Sequence, residues 1–121
     1  MNSIALHYCL AVVITLTTYN AVPEQTDNEP LITASGLKIT QRHIDRSLIV
    51  ALPPELRDSL HLHWGDDIVI VYEEHGRQKI IKAQLWDSMN AKYNGDKRAD
   101  LLVREGKNFK VKAKLYVSCS K

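Results

Sequence analysis

The sequence predicts a mainly β protein whose short strands close into a small barrel. Residues 108–117, NFKVKAKLYV, alternate between apolar side chains and lysines, as in a strand with one face on a core. Residues 68–74, IVIVYEE, begin as a continuous apolar run, which is typical of a strand buried on both faces. A chain of 121 residues achieves that burial best by closing its sheet into a barrel.

In the first half of the chain, two strands and one short helix are expected. Residues 14–22, ITLTTYNAV, are β-branched and aromatic, and residues 47–52, SLIVAL, form a second buried strand. Between them, a short segment ends at the turn glycine Gly36. Residues 53–60, PPELRDSL, place a proline at a first helical position and two leucines four residues apart, which predicts one or two helical turns.

The second half of the chain is expected to contain only strands and turns. The HGRQ turn joins residues 68–74 to residues 79–86 in a hairpin. Residues 99–103, ADLLV, form another short buried strand, and residues 108–117 form the last one. The prediction is therefore about six short strands, one small helix and several loops.

Composition indicates one folded domain and gives little support for nucleic-acid binding. Apolar residues make up 45% of the chain and charged residues 25%, so disorder is not expected. The formal net charge is +2, too small to argue for a polyanionic partner. The charge is unevenly placed, since all sixteen lysines and arginines occur from Lys38 onward.

The N-terminal residues allow two interpretations. Residues 4–16 form an apolar run that is too short to span a membrane comfortably. Residues 1–14 are either a degenerate export signal or an apolar first strand after a loose segment, and residues 15–121 form the predicted barrel domain. Cys9 and Cys119 lie near opposite ends of the sequence and can pair only if the termini meet.

Two aspartates are the candidate catalytic residues. Asp87 follows Leu85 and Trp86, so its carboxyl could be shielded enough to hold a proton for acid catalysis. The alternative is that Asp87 caps a short turn through SMNAKY. Asp100 precedes an apolar run and either faces the barrel interior near Asp87 or lies at a strand edge as a solvated charge.

The other polar groups are less specific. Lys92, Lys97 and Arg98 form either a solvated loop or a rim that binds an anionic ligand. The set His61, His63, Asp66 and Asp67 superficially resembles a metal site, but WGDD is ordinary turn chemistry. We therefore predict no metal, and no cofactor.

The order of several short motifs resembles a known family. LTTYN, TASG, IVALPPEL, WGDDIVIV and WDSMNAKYNGDKRADLLV follow one another as in the three-aspartate domain, and the chain is similar to the wider rare lipoprotein A-like double-psi β-barrel group. The resemblance covers roughly residues 15–118. The aspartate–loop–aspartate–apolar pattern is its strongest part.

The resemblance implies a six-stranded double-psi β-barrel with one short helix, whose first and last strands lie side by side. In the related membrane-bound lytic transglycosylase A family, one aspartate cleaves peptidoglycan glycan strands and leaves a 1,6-anhydro sugar. That role falls on Asp87, with Asp100 in support. Tyr19, Thr33 and Ser35 match polar positions facing the groove. Lys92 and Arg98 would recognise acidic groups of the substrate.

One family aspartate is missing, because VAL is followed here by Pro53. The same resemblance therefore also allows a barrel that binds cell-wall polysaccharide without cutting it. A small nucleic-acid-binding barrel is a third hypothesis, suggested by the rhythm of residues 49–71, and no nucleic acid is expected as the partner. We expect a monomer that acts outside the cytoplasm, in the periplasm, cell envelope or medium.

Overall fold

The computed structural model describes residues 7–22 and 30–119. Within these ranges, the strands and helices are β1 (Tyr8–Tyr19), α1 (Gln41–Asp45), β2 (Ile49–Leu52), α2 (Pro54–Ser59), β3 (Asp67–Glu74), β4 (Arg77–Ser88), a 3-10 turn (Ala91–Tyr93), β5 (Arg98–Leu102) and β6 (Val111–Ser118).

The six strands form a closed barrel, which confirms the predicted fold class. Their order around the barrel is β1-β5-β2-β4-β3-β6, and β6 pairs with β1 to close it. The pairs β1·β5 and β2·β4 are parallel, whereas the other four pairs are antiparallel. Closure pairs every strand with a neighbour on both sides over part of its length, so the barrel has no edge strand.

The barrel interior is filled by alternate side chains from all six strands. The innermost are large aliphatic residues such as Leu16, Ile70 and Leu115. Ile68, Ile70 and Val50 are buried as predicted, while Phe109, Val111 and Val117 are partly buried against this core. The interior is thus a packed core rather than a channel.

A second apolar cluster covers the outer face of β2. Val50 and Leu52 point inward, whereas Ile49 and Ala51 point outward and are still buried. The covering residues come from the segment before α1, from α1 itself and from the neighbouring strands: Leu37, Ile39, Ile44, Tyr19, Trp86, Met89, Tyr93 and Leu102. This cluster explains why β2 reads as a continuous apolar run.

The helix α1 is an element that the sequence did not predict. It has five residues and no apolar repeat, so its main signal is its cap. The Thr40 hydroxyl accepts a hydrogen bond from the His43 backbone N–H, and the His43 ring nitrogen accepts one from the Thr40 N–H. A histidine at the third position replaces the usual Glu or Gln of a capping box.

The first strand begins earlier than the sequence suggested. Residues 8–14 pair with β6, and Ile14 lies in the core, so the expected boundary at residue 15 falls inside β1. Residues 1–6 lie outside the described ranges. The first and last strands lie side by side as predicted, and Cys9 and Cys119 form a disulfide with a Cα–Cα distance of 5.0 Å.

Replacing Ile70 by Ala should lower the free energy of unfolding by about 2–5 kcal/mol, because it removes a fully buried aliphatic side chain from the barrel core. The matched control is Ile80→Ala, which truncates the same side chain where it is 44% exposed. Urea unfolding of both variants measures the difference. Equal losses would mean that β3 does not contribute to the core as described.

Breaking the disulfide should also destabilise the barrel. It joins two residues that are 110 positions apart in the sequence. In the chain-entropy model, closing a loop of this length stabilises the folded state by about 4–5 kcal/mol. The double variant Cys9→Ser/Cys119→Ser should therefore unfold at much lower urea concentration, and the oxidised wild type should show no free thiol. Two titratable thiols in oxidised, unfolded wild type would contradict the pairing.

Candidate functional site

Two carboxylates lie in one cross-strand row on the outer face of the barrel. In register, Thr17 of β1 pairs with Asp100 of β5, Asp100 pairs with Ala51 of β2, and Ala51 pairs with Asp87 of β4. Neighbouring strands lie about 4.8 Å apart, so the two aspartate Cα atoms are about 10 Å apart. Ala51, which lies between them, is itself buried in the second apolar cluster together with Tyr19.

A β-bulge explains why Asp87 faces outward. Val50 pairs with Leu85, but the next residue, Ala51, pairs with Asp87, so Trp86 is an extra residue in β4. Without the bulge, Asp87 would share the inward face of Leu85, which is fully buried in the core. The bulge therefore turns the carboxylate out of the barrel, as such irregularities often do near functional sites.

The Asp87 carboxylate is held by three hydrogen bonds. Oδ2 accepts from the Tyr19 hydroxyl at 2.9 Å, and Oδ1 accepts from the backbone N–H groups of Ala34 at 2.8 Å and Ser88 at 2.9 Å. The alternative that Asp87 caps the following turn is wrong, because Asn90 is the cap and its side chain accepts from the Lys92 N–H. Asp87 is thus a fixed acceptor with both oxygens engaged.

The Tyr19 side chain is buried in the second apolar cluster. It is 6% exposed. Burial raises the pKa of its phenol far above the ordinary value, and the charge of Asp87, the hydrogen bond to Asp87 and the charge of Asp100 raise it further. The phenol therefore stays protonated and acts as a hydrogen-bond donor. The sequence identified Tyr19 as a groove residue, and the structure joins it directly to Asp87.

Asp100 is half-buried on the outer face of the barrel. It therefore neither faces the barrel interior nor lies at a strand edge as a solvated charge, which were the two positions that the sequence allowed. The Thr17 hydroxyl donates to its Oδ1 at 2.9 Å. Burial raises the pKa of the Asp100 carboxyl; the Thr17 hydrogen bond and the charge of Arg98 oppose this rise, and the charge of Asp87 adds to it. Asp100 thus keeps its proton to a higher pH than an ordinary aspartate.

The TASG turn brings Thr33 and Ser35 to the end of β4. Their hydroxyl oxygens are 2.8 Å apart, and the Ser35 N–H lies 3.4 Å from the Trp86 carbonyl oxygen. Thr33 is buried and accepts a hydrogen bond from the Leu37 N–H, so it mainly shapes the turn. Ser35 is only half-buried and directly follows Ala34, whose N–H donates to Asp87.

The two predicted basic residues meet at an aromatic ring that sequence reasoning did not single out. The Arg98 guanidinium lies 4.7 Å and the Lys92 ammonium 5.1 Å from the centroid of Tyr93. Arg98 is two residues from Asp100 on the same face of β5, and its Nη1 lies 4.0 Å from Asp96. The site therefore has a cationic side next to Asp100.

The residues that superficially resemble a metal site make local contacts. Asp66 Oδ2 accepts a hydrogen bond from the His63 N–H at 2.7 Å, and Asp67 Oδ1 lies 3.4 Å from the Gln84 amide nitrogen. Across residues 7–22 and 30–119, no group of three or more His, Cys, Asp or Glu side chains is placed to hold a metal ion. In the same part of the chain, no helix is both long and apolar enough to cross a bilayer.

Besides the adjacent Ser88 N–H, sequence reasoning missed two partners of the aspartates. One is Thr17, which is visible only through the β1·β5 register, and the other is the backbone N–H of Ala34. A hydrogen bond that a backbone N–H donates cannot be recognised from the type of residue that donates it.

Comparisons with known proteins give no relative: no family model, no curated protein sequence and no solved structure matches this chain. The class that the fold and site define is a closed six-stranded barrel with an outward-facing pair of carboxylates.

The raised pKa of Asp100 predicts a specific pH dependence of stability. Below the ordinary aspartate pKa of 3.8, the group is protonated in both the folded and the unfolded chain and the stability it confers is fully present. That stability is lost as the pH rises through the raised folded pKa. We therefore compare the free energies of unfolding of wild type and of Asp100→Asn. The difference, wild type minus variant, should fall as the pH rises across this window.

Thr17→Val provides the matched variant. It keeps the shape but removes the hydroxyl that lowers the Asp100 pKa in the folded chain. In the Thr17→Val background, the fall should therefore begin at the same pH, which the unfolded chain sets, and continue to a higher pH. Urea unfolding at a series of pH values measures both effects. A difference between wild type and Asp100→Asn that rises with pH would mean that Asp100 ionises more readily in the folded chain.

Proposed function

We propose that this barrel binds peptidoglycan glycan strands and cleaves them by lytic transglycosylase chemistry. The observation that carries the proposal is the row in which Asp87 and Asp100 flank Ala51 on one outer face. Paired carboxyl groups of unequal environment are the usual equipment for cleaving a glycosidic bond. We also propose that the strand order, with its two parallel pairs, is a double-psi arrangement.

The two carboxyl groups have different environments, which supports different roles. The family resemblance gives the acid role to Asp87, yet both oxygens of Asp87 already accept hydrogen bonds. Asp100 has a raised pKa and is half-buried. We therefore assign the proton-carrying role to Asp100 and treat Asp87 as a fixed negative charge that stabilises positive charge developing on the sugar.

The proposed reaction balances without water. The Asp100 carboxyl protonates the glycosidic oxygen, and the bond between that oxygen and the sugar C1 breaks. The 6-hydroxyl oxygen of the same sugar then bonds to C1, and its proton returns to the Asp100 carboxylate. The products are a shortened glycan with a free hydroxyl and a 1,6-anhydro sugar end, and the acid is regenerated.

Three further features support a role in binding an acidic cell-wall glycan. Arg98 and Lys92 give the site a cationic side that suits the carboxylates of lactyl and peptide groups. Ser35 supplies a hydroxyl in the turn whose Ala34 N–H donates to Asp87. The disulfide Cys9–Cys119 is typical of proteins that work in oxidising compartments, which supports a location outside the cytoplasm.

The second candidate is a barrel that binds the glycan without cutting it. It is favoured by the end of β2, where the family pattern has an aspartate. Here Leu52 and Pro53 occupy that position and both are buried, so the site has two carboxylates where the family has three. The two candidates share the same ligand and differ in the product.

Digestion of purified peptidoglycan, with mass analysis of the released fragments, tests the proposal. Wild type should release 1,6-anhydro fragments, and Asp100→Asn should lower the release by about 100-fold or more because it removes the transferable proton. Asp87→Asn should have the smaller effect. The control is Asp58→Asn, which changes an exposed carboxylate on α2 and should leave the release unchanged.

The outcomes separate the candidates. A larger loss in Asp87→Asn than in Asp100→Asn would return the acid role to Asp87. Binding to insoluble peptidoglycan without fragment release would replace the enzyme with the binding module. Neither binding nor release by the folded, oxidised chain would refute the proposed function.

A further inference from the structure

A second outer face of the barrel combines exposed aliphatic side chains with lysines. It consists of two cross-strand rows over β1, β6, β3 and β4, which we call the basic–apolar face: Leu10, Tyr116, Val69 and Lys82 in one row, and Val13, Lys114, Val71 and Ile80 in the other. Six of its eight residues are apolar or aromatic, and the other two are lysines.

The apolar side chains of this face are unusually accessible. Leu10 is 51%, Val13 54% and Ile80 44% exposed. These are three of the six large hydrophobic side chains that are exposed in the described part of the chain. Beneath them, Val69 and Val71 are buried, with Tyr8 and Tyr116 packed against them. The face thus has exposed aliphatic side chains around a buried patch of two valines and two tyrosines.

The charge of this face is positive. Lys82 and Lys114 lie within the two rows, and Lys112 lies beside them, with its ammonium 3.2 Å from the Thr15 hydroxyl. Neither row contains a carboxylate. The acidic residues of β3 that point to the same side are at the strand's two ends, Asp67 and Glu73.

The barrel order sets this face opposite the candidate site. The row of the candidate site runs from β1 through β5 and β2 to β4, whereas the basic–apolar face runs from β1 through β6 and β3 to β4, so the two are centred on different pairs of strands. In the closed order β1-β5-β2-β4-β3-β6, these two pairs of strands occupy opposite sides. A partner bound at β6 and β3 would therefore leave Asp87 and Asp100 free.

We propose that the basic–apolar face docks this protein peripherally on the surface of an anionic lipid bilayer. Lysines attract anionic headgroups, and the exposed aliphatic side chains enter the headgroup boundary, which is the combination that interfacial binding uses.

A second copy of the chain fits this face poorly, because a two-fold contact would bring lysines together. A purely anionic polymer would make no use of the exposed aliphatic side chains.

Flotation with lipid vesicles tests the proposal on the oxidised full chain. Wild type should float with vesicles that contain phosphatidylglycerol and not with pure phosphatidylcholine vesicles, and higher ionic strength should weaken the binding. Lys82→Gln/Lys114→Gln should lower the partition coefficient about tenfold or more. Lys38→Gln/Lys107→Gln is the control, because it removes the same charge from exposed positions outside the face.

A third variant tests the apolar part. Val13→Ser/Ile80→Ser should also lower partitioning about tenfold while leaving its dependence on ionic strength in place. Absence of binding by wild type to anionic vesicles would overturn the proposal in favour of a protein partner. Equal losses in the two lysine double variants would overturn it as well, since net charge alone would then explain the attraction. No glycan enters this experiment, so its result is independent of the proposed enzyme activity.

Discussion

The structure depends on the pairing of β1 along both of its edges. β1 runs antiparallel to β6 on one side and parallel to β5 on the other, so it supplies the contacts that turn a sheet into a barrel. Its alternate residues reach both faces: Ile14 and Leu16 fill the interior, and Thr17 and Tyr19 hold the two aspartates from outside. The fold and the candidate site therefore share one strand.

The site has an electrostatic asymmetry that follows from its surroundings. Asp87 lies at a bulge where two backbone N–H groups and a phenol converge on it. Asp100 receives one hydroxyl donor, and burial is the largest influence on its pKa. Tyr19 is close enough to respond to both charges. Two identical side chains thus obtain different properties from packing alone, as in enzymes that need an acid and a separate negative charge.

Much of the fold followed from hydrophobic patterning, and the exceptions have physical causes. The alternation after Asn108 and the apolar run after Asp67 predicted β6 and β3, because alternate residues of β6 face the core and four consecutive residues of β3 are buried. The start of β1 was placed too late, because an apolar run beside the N-terminus also suits an export signal. The five-residue α1 was missed because its formation depends on a cap and on contact with the outer cluster.

The candidate site was predictable in its residue types but not in its geometry. Asp87 and Asp100 stood out because each borders an apolar strand, and the resemblance added Tyr19. The face on which Asp87 lies depends on the bulge at Trp86, and pairing register is a tertiary property that spacing along the chain does not encode. The contributions of Thr17 and of the Ala34 backbone were hidden for the same reason.

The strand order also constrains how the chain can fold. Both partners of β1 come from the last quarter of the described sequence, since β5 begins at Arg98 and β6 at Val111. During synthesis, the apolar β1 therefore stays unpaired until almost all of the barrel has been made. The β3–β4 hairpin, in contrast, can form from neighbouring residues alone. Such non-local pairing slows folding. The same strand that closes the barrel is thus the segment most exposed to aggregation before closure, and a chaperone that holds early β-strands would find its binding site there.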